Sequence, residues 1–426
     1  MKKNKKDLSN EEILYLRKIK NPPKFIYNVL GNVWKLLFMK KYGVSVTYKQ
    51  DPRKEKGSHL FISNHASRND YIFTGVPLLP NTYNFVAGYN EFYRSHLRGV
   101  FNLLQVIPKK NFTPDFYTIK QAKRVVDKGG RLILFPEGMN SIGGCNQPVV
   151  VGTGKFVKRF NLPVYYSVIK GGYLTCPKYD LADRKGKVEV TFDQMFTTED
   201  LARLSPTEIE DIMNEKLYHD DYLWNKEQKI SYKNDGEIAR NLHTLLYWCP
   251  KCHSELKMVG KKNTLTCTCC GNGATITDTY DMVPFNEECV IPNTQTEWFK
   301  MQREFVKEQI KDPNFKLVEK VKLGMLPKYE YLKDLKTSEI VGEGTITLTH
   351  EGLTYDGTKD NEPFNFFIPI ASLPTYGMCT DITRFYTFYN GEFVEFYPET
   401  ESVEKWFLCT EEIHRFNGGS WQDFKF

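Results

Sequence analysis

Two side chains capable of acid–base chemistry share the stretch HLFISNHASRNDYIF, residues 59–73: His65 follows an apolar run, and Asp70 stands five positions later. If the run is a buried strand, its end presents His65 at the sheet edge. A turn into the next helix then returns the Asp70 carboxylate to imidazole Nδ1. That contact fixes the tautomer and leaves Nε2 free to take a proton from a hydroxyl. No Ser or Cys nucleophile is needed if the acceptor hydroxyl itself attacks. The alternative is a plain turn, with Asp70 serving only the helix N-terminus. A second apolar run ends in Phe135, Pro136, Glu137 and Gly138, within RLILFPEGMNS. Parallel strand ends on one side of an α/β sheet converge on one crevice, so His65 and Glu137 can share a site.

A different chemistry is written in WCPKCHSELKMVGKKNTLTCTCCGNG. Two residues lie between Cys249 and Cys252, two between Cys267 and Cys270, and 14 between the pairs. Two such knuckles make a tetrahedral all-thiolate site of the zinc-ribbon type, here with structural zinc because four thiolates leave no open position. Cys269 and His253 are spare. Five of the ten cysteines lie in this stretch. With no signal peptide read at the N-terminus, that clustering favours metal binding in a reducing cytoplasm over a disulfide framework.

The elements that must position these groups can be read from periodicity. Between about 55 and 195, strand-length apolar runs (HLFIS, YNFVAG, LQVIP, RLILF, VYYSVI, KVEVTF) alternate with helical patterns (DYIFTGVPLL, SHLRGVFNLL, PDFYTIKQAKRVVDKGG). This predicts an α/β domain with a central, mostly parallel sheet over residues 49–225. Ser205 is placed to cap a helix starting at Pro206, with Glu208 completing a capping box. The polar run NKEQKISYKNDG reads as a linker, the ribbon spans 246–282, and a helix opens the segment 295–426. From about 340, short strands and turns lead to a final helix. A small antiparallel β domain closed by one helix resembles a pleckstrin-homology-like domain.

Charge sits unevenly. Residues 1–41 carry 11 Lys/Arg against 3 Asp/Glu, a net +8 of the chain's +6, so the remainder is near −2. The apolar part of this arm, Phe25 to Met39, is interrupted by Asn28, Asn32 and Lys35 and is too short to span a bilayer. Trp34, Phe38 and the flanking lysines fit a basic amphipathic arm, residues 1–48, lying on an anionic membrane surface, and equally a helix packed on its own domain. The expected location is the cytoplasmic, inner face of a membrane. No nucleic-acid partner is expected: around the ribbon only Lys251, Lys257, Lys261 and Lys262 occur, without a basic stripe interleaved with aromatics.

Asn64-His65-x4-Asp70, followed about seventy residues later by Phe135-Pro136-Glu137-Gly138, resembles the glycerolipid acyltransferases of the lysophosphatidic acid acyltransferase-like family. Gly99, Val106, Ile107, Pro108 and Lys109 align with that family's second block, with Lys in place of Arg. Pro163 and Val164 match its fourth. The resemblance covers about residues 25–220. It implies transfer of a fatty acyl group from acyl-CoA, acyl carrier protein or an acyl phosphate to a hydroxyl of a lysophosphatidate-like lipid. His65 would be the general base and Asp70 its orienting partner. Phe135, Pro136, Glu137 and Gly138 would shape the acceptor pocket, and Lys109 would hold its phosphate, with Lys155 a second candidate. Members taking a phosphorylated glycerol continue with Thr-Arg-Ser where this chain has Met139-Asn140-Ser141, which leaves a non-phosphorylated acceptor open. A retired membrane-targeting scaffold is the remaining alternative, and intact His65, Asp70 and Glu137 weigh against it.

Overall fold

The computed structural model describes residues 7–379 and 381–420. The N-terminal half is built on a seven-stranded sheet. Its spatial order is β1 (Val44–Tyr48), β7 (Val188–Phe196), β6 (Val164–Lys170), β2 (Leu60–Ser63), β5 (Leu132–Leu134), β3 (Asn84–Gly88) and β4 (Ile107–Lys109). Every pairing is parallel except β6 with β7, so the sheet is mostly parallel, as expected. The inner strands are apolar on both faces for a physical reason. Leu60, Ile62 and Leu132 enter one core with Val157, Ile209 and Met213, whereas Phe61 and Ile133 point to the other side among Phe73, Tyr83 and Phe192. Alternate residues of a strand point to opposite faces, and here helices or loops cover both.

Helices Asp70–Gly75, Ser95–Leu103 and Phe116–Val126 lie where the periodicity puts them. The helix Pro206–Leu217 begins with the expected capping box, Ser205 Oγ accepting from Glu208 N–H and Glu208 reaching back to Ser205 N–H. It packs against helix Thr153–Phe160 so closely that a Cβ at Gly154 would lie 2.0 Å from the Pro206 carbonyl oxygen. Lys155, the second phosphate candidate, sits in that first turn and belongs to this helix pair.

Three details differ from the sequence reading. Val44–Tyr48, counted with the arm, is an edge strand paired in register with β7. The polar run around residues 225–236 is no free linker, because Tyr232 is fully buried and its hydroxyl donates to the Lys187 carbonyl at 2.8 Å. In the amphipathic helix Lys24–Trp34 and its continuation Lys35–Met39, Trp34 and Phe38 turn inward. Trp34 meets Tyr71 edge-on at 5.5 Å, and Phe38 packs on the second core. The solvent-facing stripe is instead Phe25, Val29, Val33, Leu36 and Leu37, with Phe25 81% and Leu36 79% exposed. Residues 1–6, with four of the arm's lysines, lie outside the described residues. No helix among the described residues is long and apolar enough to cross a membrane.

The cysteine segment forms a four-stranded antiparallel sheet of β8 (Met258–Lys261), β9 (Thr264–Cys267), β10 (Gly273–Ile276) and β11 (Met282–Pro284) in sequential order. Helix Gln295–Gln309 follows. The C-terminal part is a seven-stranded antiparallel sheet in the order β15 (Glu362–Pro369), β14 (Gly352–Lys359), β13 (Glu339–Leu348), β12 (Leu317–Met325), β18 (Glu392–Pro398), β17 (Phe385–Tyr389) and β16 (Gly377–Met378). The helix Val403–Phe416 closes it with Trp406, Phe407 and Ile413 fully buried.

Candidate active site and metal centre

β2 and β5 are neighbours and run the same way, so the residues that follow them meet at one edge of the sheet. His65 leaves β2 into a tight turn, and Asp70 opens the helix Asp70–Gly75. Imidazole Nδ1 lies 2.8 Å from Asp70 Oδ2. The same carboxylate accepts from the Ser67 N–H at 2.9 and 3.0 Å and from the Ser67 hydroxyl at 3.0 Å, so the turn itself orients it. Burial pushes the Asp70 carboxyl up, opposed by its hydrogen bonds from His65 and Ser67. The His65 ring stacks on Phe135 with centroids 4.5 Å apart, is 24% exposed, and Nε2 has no partner among the described residues. One nitrogen anchored and the other left without a partner on a partly exposed ring is the geometry a general base requires.

Glu137 lies beneath this pair. It is fully buried: Oε1 accepts the His65 N–H at 2.7 Å and Oε2 the Gln147 N–H at 2.8 Å. Desolvation raises its pKa to about 8. The Ser141 N–H returns to the His65 carbonyl at 2.7 Å, so the loop after Gly138 clasps His65 from both main-chain sides. Gly138 itself has φ +79°, and a Cβ there would meet the Phe112 ring at 2.9 Å. Its carbonyl accepts from Asn111 Nδ2 at 2.9 Å. Phe135 thus faces His65, Pro136 and Glu137 are buried under it, and Gly138 turns the loop.

Lys109 ends β4, three strands from β2 and so about 14 Å across the sheet at ~4.8 Å per strand. Its ammonium donates to the Lys110 carbonyl at 3.1 Å and makes no ion pair among the described residues, and burial pushes its pKa down. It is therefore on the same edge as His65 without touching it. Asn140, standing where the family's pattern has Arg, accepts from a different cation: Lys178 Nζ at 2.9 Å. Lys178 is buried, its pKa lowered to about 8 by desolvation, and it also donates to the Cys379 carbonyl of the C-terminal unit at 2.7 Å.

Sequence reasoning missed Lys178, whose segment has no motif. It also left the asparagine of Asn64-His65 without a task. Asn64 Oδ1 accepts the Ile169 N–H at 2.7 Å and Nδ2 donates to the Ile169 carbonyl at 3.0 Å. The side chain thus continues the β2–β6 ladder at the point where the main chain leaves it to place His65.

In the cysteine segment the sulfurs of Cys249, Cys252, Cys267 and Cys270 all lie within 4.8 Å of one another. Cys249 to Cys270 is 3.7 Å and Cys252 to Cys267 is 3.8 Å. Those are the edges of a tetrahedron with ~2.3 Å metal–sulfur bonds, about 3.8 Å, and far too long for disulfides. Each knuckle closes alike. The residue after its second cysteine, His253 (φ +58°) or Gly271 (φ +73°), is left-handed, and its N–H returns to the carbonyl of Cys249 or Cys267 at 2.9 and 3.0 Å. His253 stacks on Trp248 at 5.4 Å, and exposed Cys269 stands outside the cluster, so neither is a fifth ligand.

Asn64→Leu is expected to strand the buried Ile169 N–H and carbonyl, at about 1–3 kcal/mol for each group, read as a fall in the denaturant midpoint. Metal analysis of the purified chain is expected to give one divalent ion per chain. Cys267→Ser should lose it together with the hydrogen-exchange protection of residues 249–284.

Residues 45–170 match the family model for Acyltransferase. No curated protein matches the sequence. Among solved structures, the 1-acyl-sn-glycerophosphate (LPA) acyltransferase PlsC from Thermotoga maritima is similar at 17% identity and a TM-score of 0.40, over 48% of this chain and 80% of that one. The domain that carries His65, Asp70 and Glu137 is an acyltransferase-family domain, joined in one chain to a four-cysteine unit and an antiparallel β unit.

Proposed function

We propose that this chain is an O-acyltransferase that moves a fatty acyl group from an acyl thioester, or an acyl phosphate, to a hydroxyl of a glycerophospholipid precursor such as lysophosphatidate. The observation that carries the reading is the His65–Asp70 pair at 2.8 Å on a partly exposed ring whose Nε2 has no partner among the described residues. His65 Nε2 takes the proton as the acceptor oxygen attacks the acyl carbonyl. Asp70 stabilises the imidazolium that forms, and collapse of the tetrahedral intermediate breaks the carbon–sulfur bond. The thiolate leaves with the proton from Nε2. Glu137 acts through His65 as a positioning residue, because both its oxygens are occupied by main-chain donors. The donor carrier would be coenzyme A or acyl carrier protein, or a phosphate in the acyl phosphate case.

Three supporting roles belong to the same proposal. Zinc is the ion that best suits four thiolates in a closed tetrahedron, and it is structural there. The apolar stripe from Phe25 to Leu37, flanked by Lys24, Lys35, Lys40 and Lys41, holds the protein peripherally on the inner, cytoplasmic face of an anionic membrane. Lys109 reads the acceptor's phosphate, since its ammonium is unpaired on the edge that carries His65.

His65→Ala is expected to abolish acyl transfer with an unchanged fold, and Asp70→Asn to lower kcat by about 10²–10⁴-fold; lipid analysis after incubation with membranes and labelled acyl donors reads both. Retained turnover in His65→Ala refutes the mechanism. Acceptor class is decided by assaying lysophosphatidate against a neutral alcohol. With a phosphorylated acceptor, Lys109→Ala should raise KM by the equivalent of about 1.5–3 kcal/mol. A silent Lys109→Ala alongside an active phosphorylated acceptor removes that residue from the site. Replacing Phe25 and Leu36 by Ser should weaken flotation with anionic vesicles and leave turnover of a short-chain soluble donor near wild type; undiminished flotation speaks against the stripe.

A further inference from the structure

Away from the His65 crevice, a cavity of ≈310 Å³ lies between the first helix Asn10–Tyr15, the helix Ser95–Leu103 and the C-terminal unit's Tyr331. Its size is in the range of small-ligand pockets. One wall is apolar, formed by Ile13, Leu14, Leu16 and Phe92, and Leu16 is 65% exposed at the mouth. Two guanidiniums, Arg17 and Arg98, line it, and no Asp or Glu does.

Neither arginine makes an ion pair among the described residues. Arg17 is half-buried, its Nη2 reaches only the Phe101 carbonyl at 3.5 Å, and its Nη1 is out of solvent with no acceptor. Its guanidinium also lies over the Phe92 ring at 5.3 Å. Arg98, exposed at the mouth, rests on the Tyr331 ring at 4.1 Å and makes no side-chain hydrogen bond or ion pair among the described residues. Three nearby carboxylates are committed elsewhere: Glu11 to Lys110 at 3.1 Å, Glu12 to the Ser9 N–H at 2.8 Å, and Glu91 to Arg94 at 2.9 Å. Arg17 Nη1, withdrawn from water without an acceptor, is costly, and a polar atom stranded in this way calls for an occupant, which the exposed Arg98 guanidinium across the mouth can share.

We propose that this cavity is a second lipid site, taking an amphiphilic phosphate monoester with its head on Arg17 and Arg98 and its apolar body against Ile13, Leu14, Leu16 and Phe92. A phosphate monoester is the head that suits two unpaired guanidiniums. Its near-dianionic charge answers both, and its three oxygens offer acceptors to two planar forks, where a single carboxylate would leave one unanswered. The site is separate from the acyl-transfer residues and does not rest on the catalytic reading. The same head can arrive as a monomeric lipid phosphate or as a headgroup in a bilayer.

The full chain is titrated with monomeric dihexanoyl phosphatidate, with glycerol phosphate and with hexanoate. It is also titrated with phosphatidylcholine vesicles carrying phosphatidate or, at equal charge, phosphatidylglycerol. Hydrogen exchange reports protection. Expected are protection of Asn10–Arg17 and Ser95–Leu103 by phosphatidate, at least tenfold weaker binding of glycerol phosphate and hexanoate, and at least tenfold weaker phosphatidate binding by R17Q/R98Q. Protection by the monomer assigns a free lipid; protection only by phosphatidate vesicles assigns a bilayer headgroup. Leu16→Glu, which keeps both arginines and sets a carboxylate at an exposed position on the mouth, should weaken binding similarly and serves if R17Q/R98Q folds poorly. Absence of protection in these two segments overturns the proposal, as does undiminished binding by a folded R17Q/R98Q or by Leu16→Glu, or glycerol phosphate binding as tightly as phosphatidate. Since the readout is binding, loss of acyl transfer in any preparation leaves the result legible.

Discussion

The acyltransferase domain turns on one buried carboxylate. Glu137 accepts the N–H of His65 with one oxygen and that of Gln147 with the other, so it joins the end of β2 to the loop after β5 where the strands themselves have stopped pairing. Everything in the crevice inherits its position from that junction. The main chain of His65 is fixed by Glu137 and by Ser141, its ring by Asp70 and Phe135, and Asp70 by the Ser67 turn. Desolvation works against the ionised form of Glu137, and the two main-chain donors work for it. A carboxylate held in that balance is tolerable only where its donors cannot move away, which is why it sits among strand ends and not on a loop tip.

Much of this arrangement was legible in the sequence, because its parts are local. The His65–Asp70 spacing is a turn plus one helical residue, the two Cys-x2-Cys knuckles are each four residues long, and the Ser205–Glu208 cap spans a single turn. The alternation of apolar runs with helical patterns was enough for the sheet, since strands buried on both faces have no other composition. What stayed hidden depends on partners distant in sequence. Asn64 finds Ile169, and Lys178 finds both Asn140 and Cys379; nothing around Lys178 marks it as special. The inward turn of Trp34 and Phe38 was hidden for a related reason. Their helix is apolar on more than one face, and only the packing of Tyr71 and the second core decides which face is spent inside.

The departure from the family pattern at Asn140 acquires a physical setting. Where that pattern supplies a cation on the loop, this chain has a short amide that accepts from a buried ammonium arriving from after β6. The positive charge has therefore not left the neighbourhood, but it is now shared with a main-chain carbonyl of the C-terminal unit. Lys110 makes a parallel contact, its ammonium reaching the Gly391 carbonyl at 2.6 Å while it lies over Tyr89 and Phe388. Both contacts press the C-terminal sheet onto the edge where β3 and β4 end.

The interior of the molecule does not respect the boundaries its motifs suggest. Met139 and Ile142, in the loop after Glu137, and Tyr173 and Leu174, just beyond β6, share one continuous core with Trp248 of the cysteine segment, Trp298 of the following helix, and Ile346 and Phe396 of the C-terminal sheet. Arg184, with no exposed surface, is held there by the hydroxyls of Tyr179 and Tyr280. Each unit is therefore part of another's inside. Deleting the ribbon or the β unit would therefore strip the floor from beneath the loop that clasps His65, so the three parts are expected to fold as one cooperative unit.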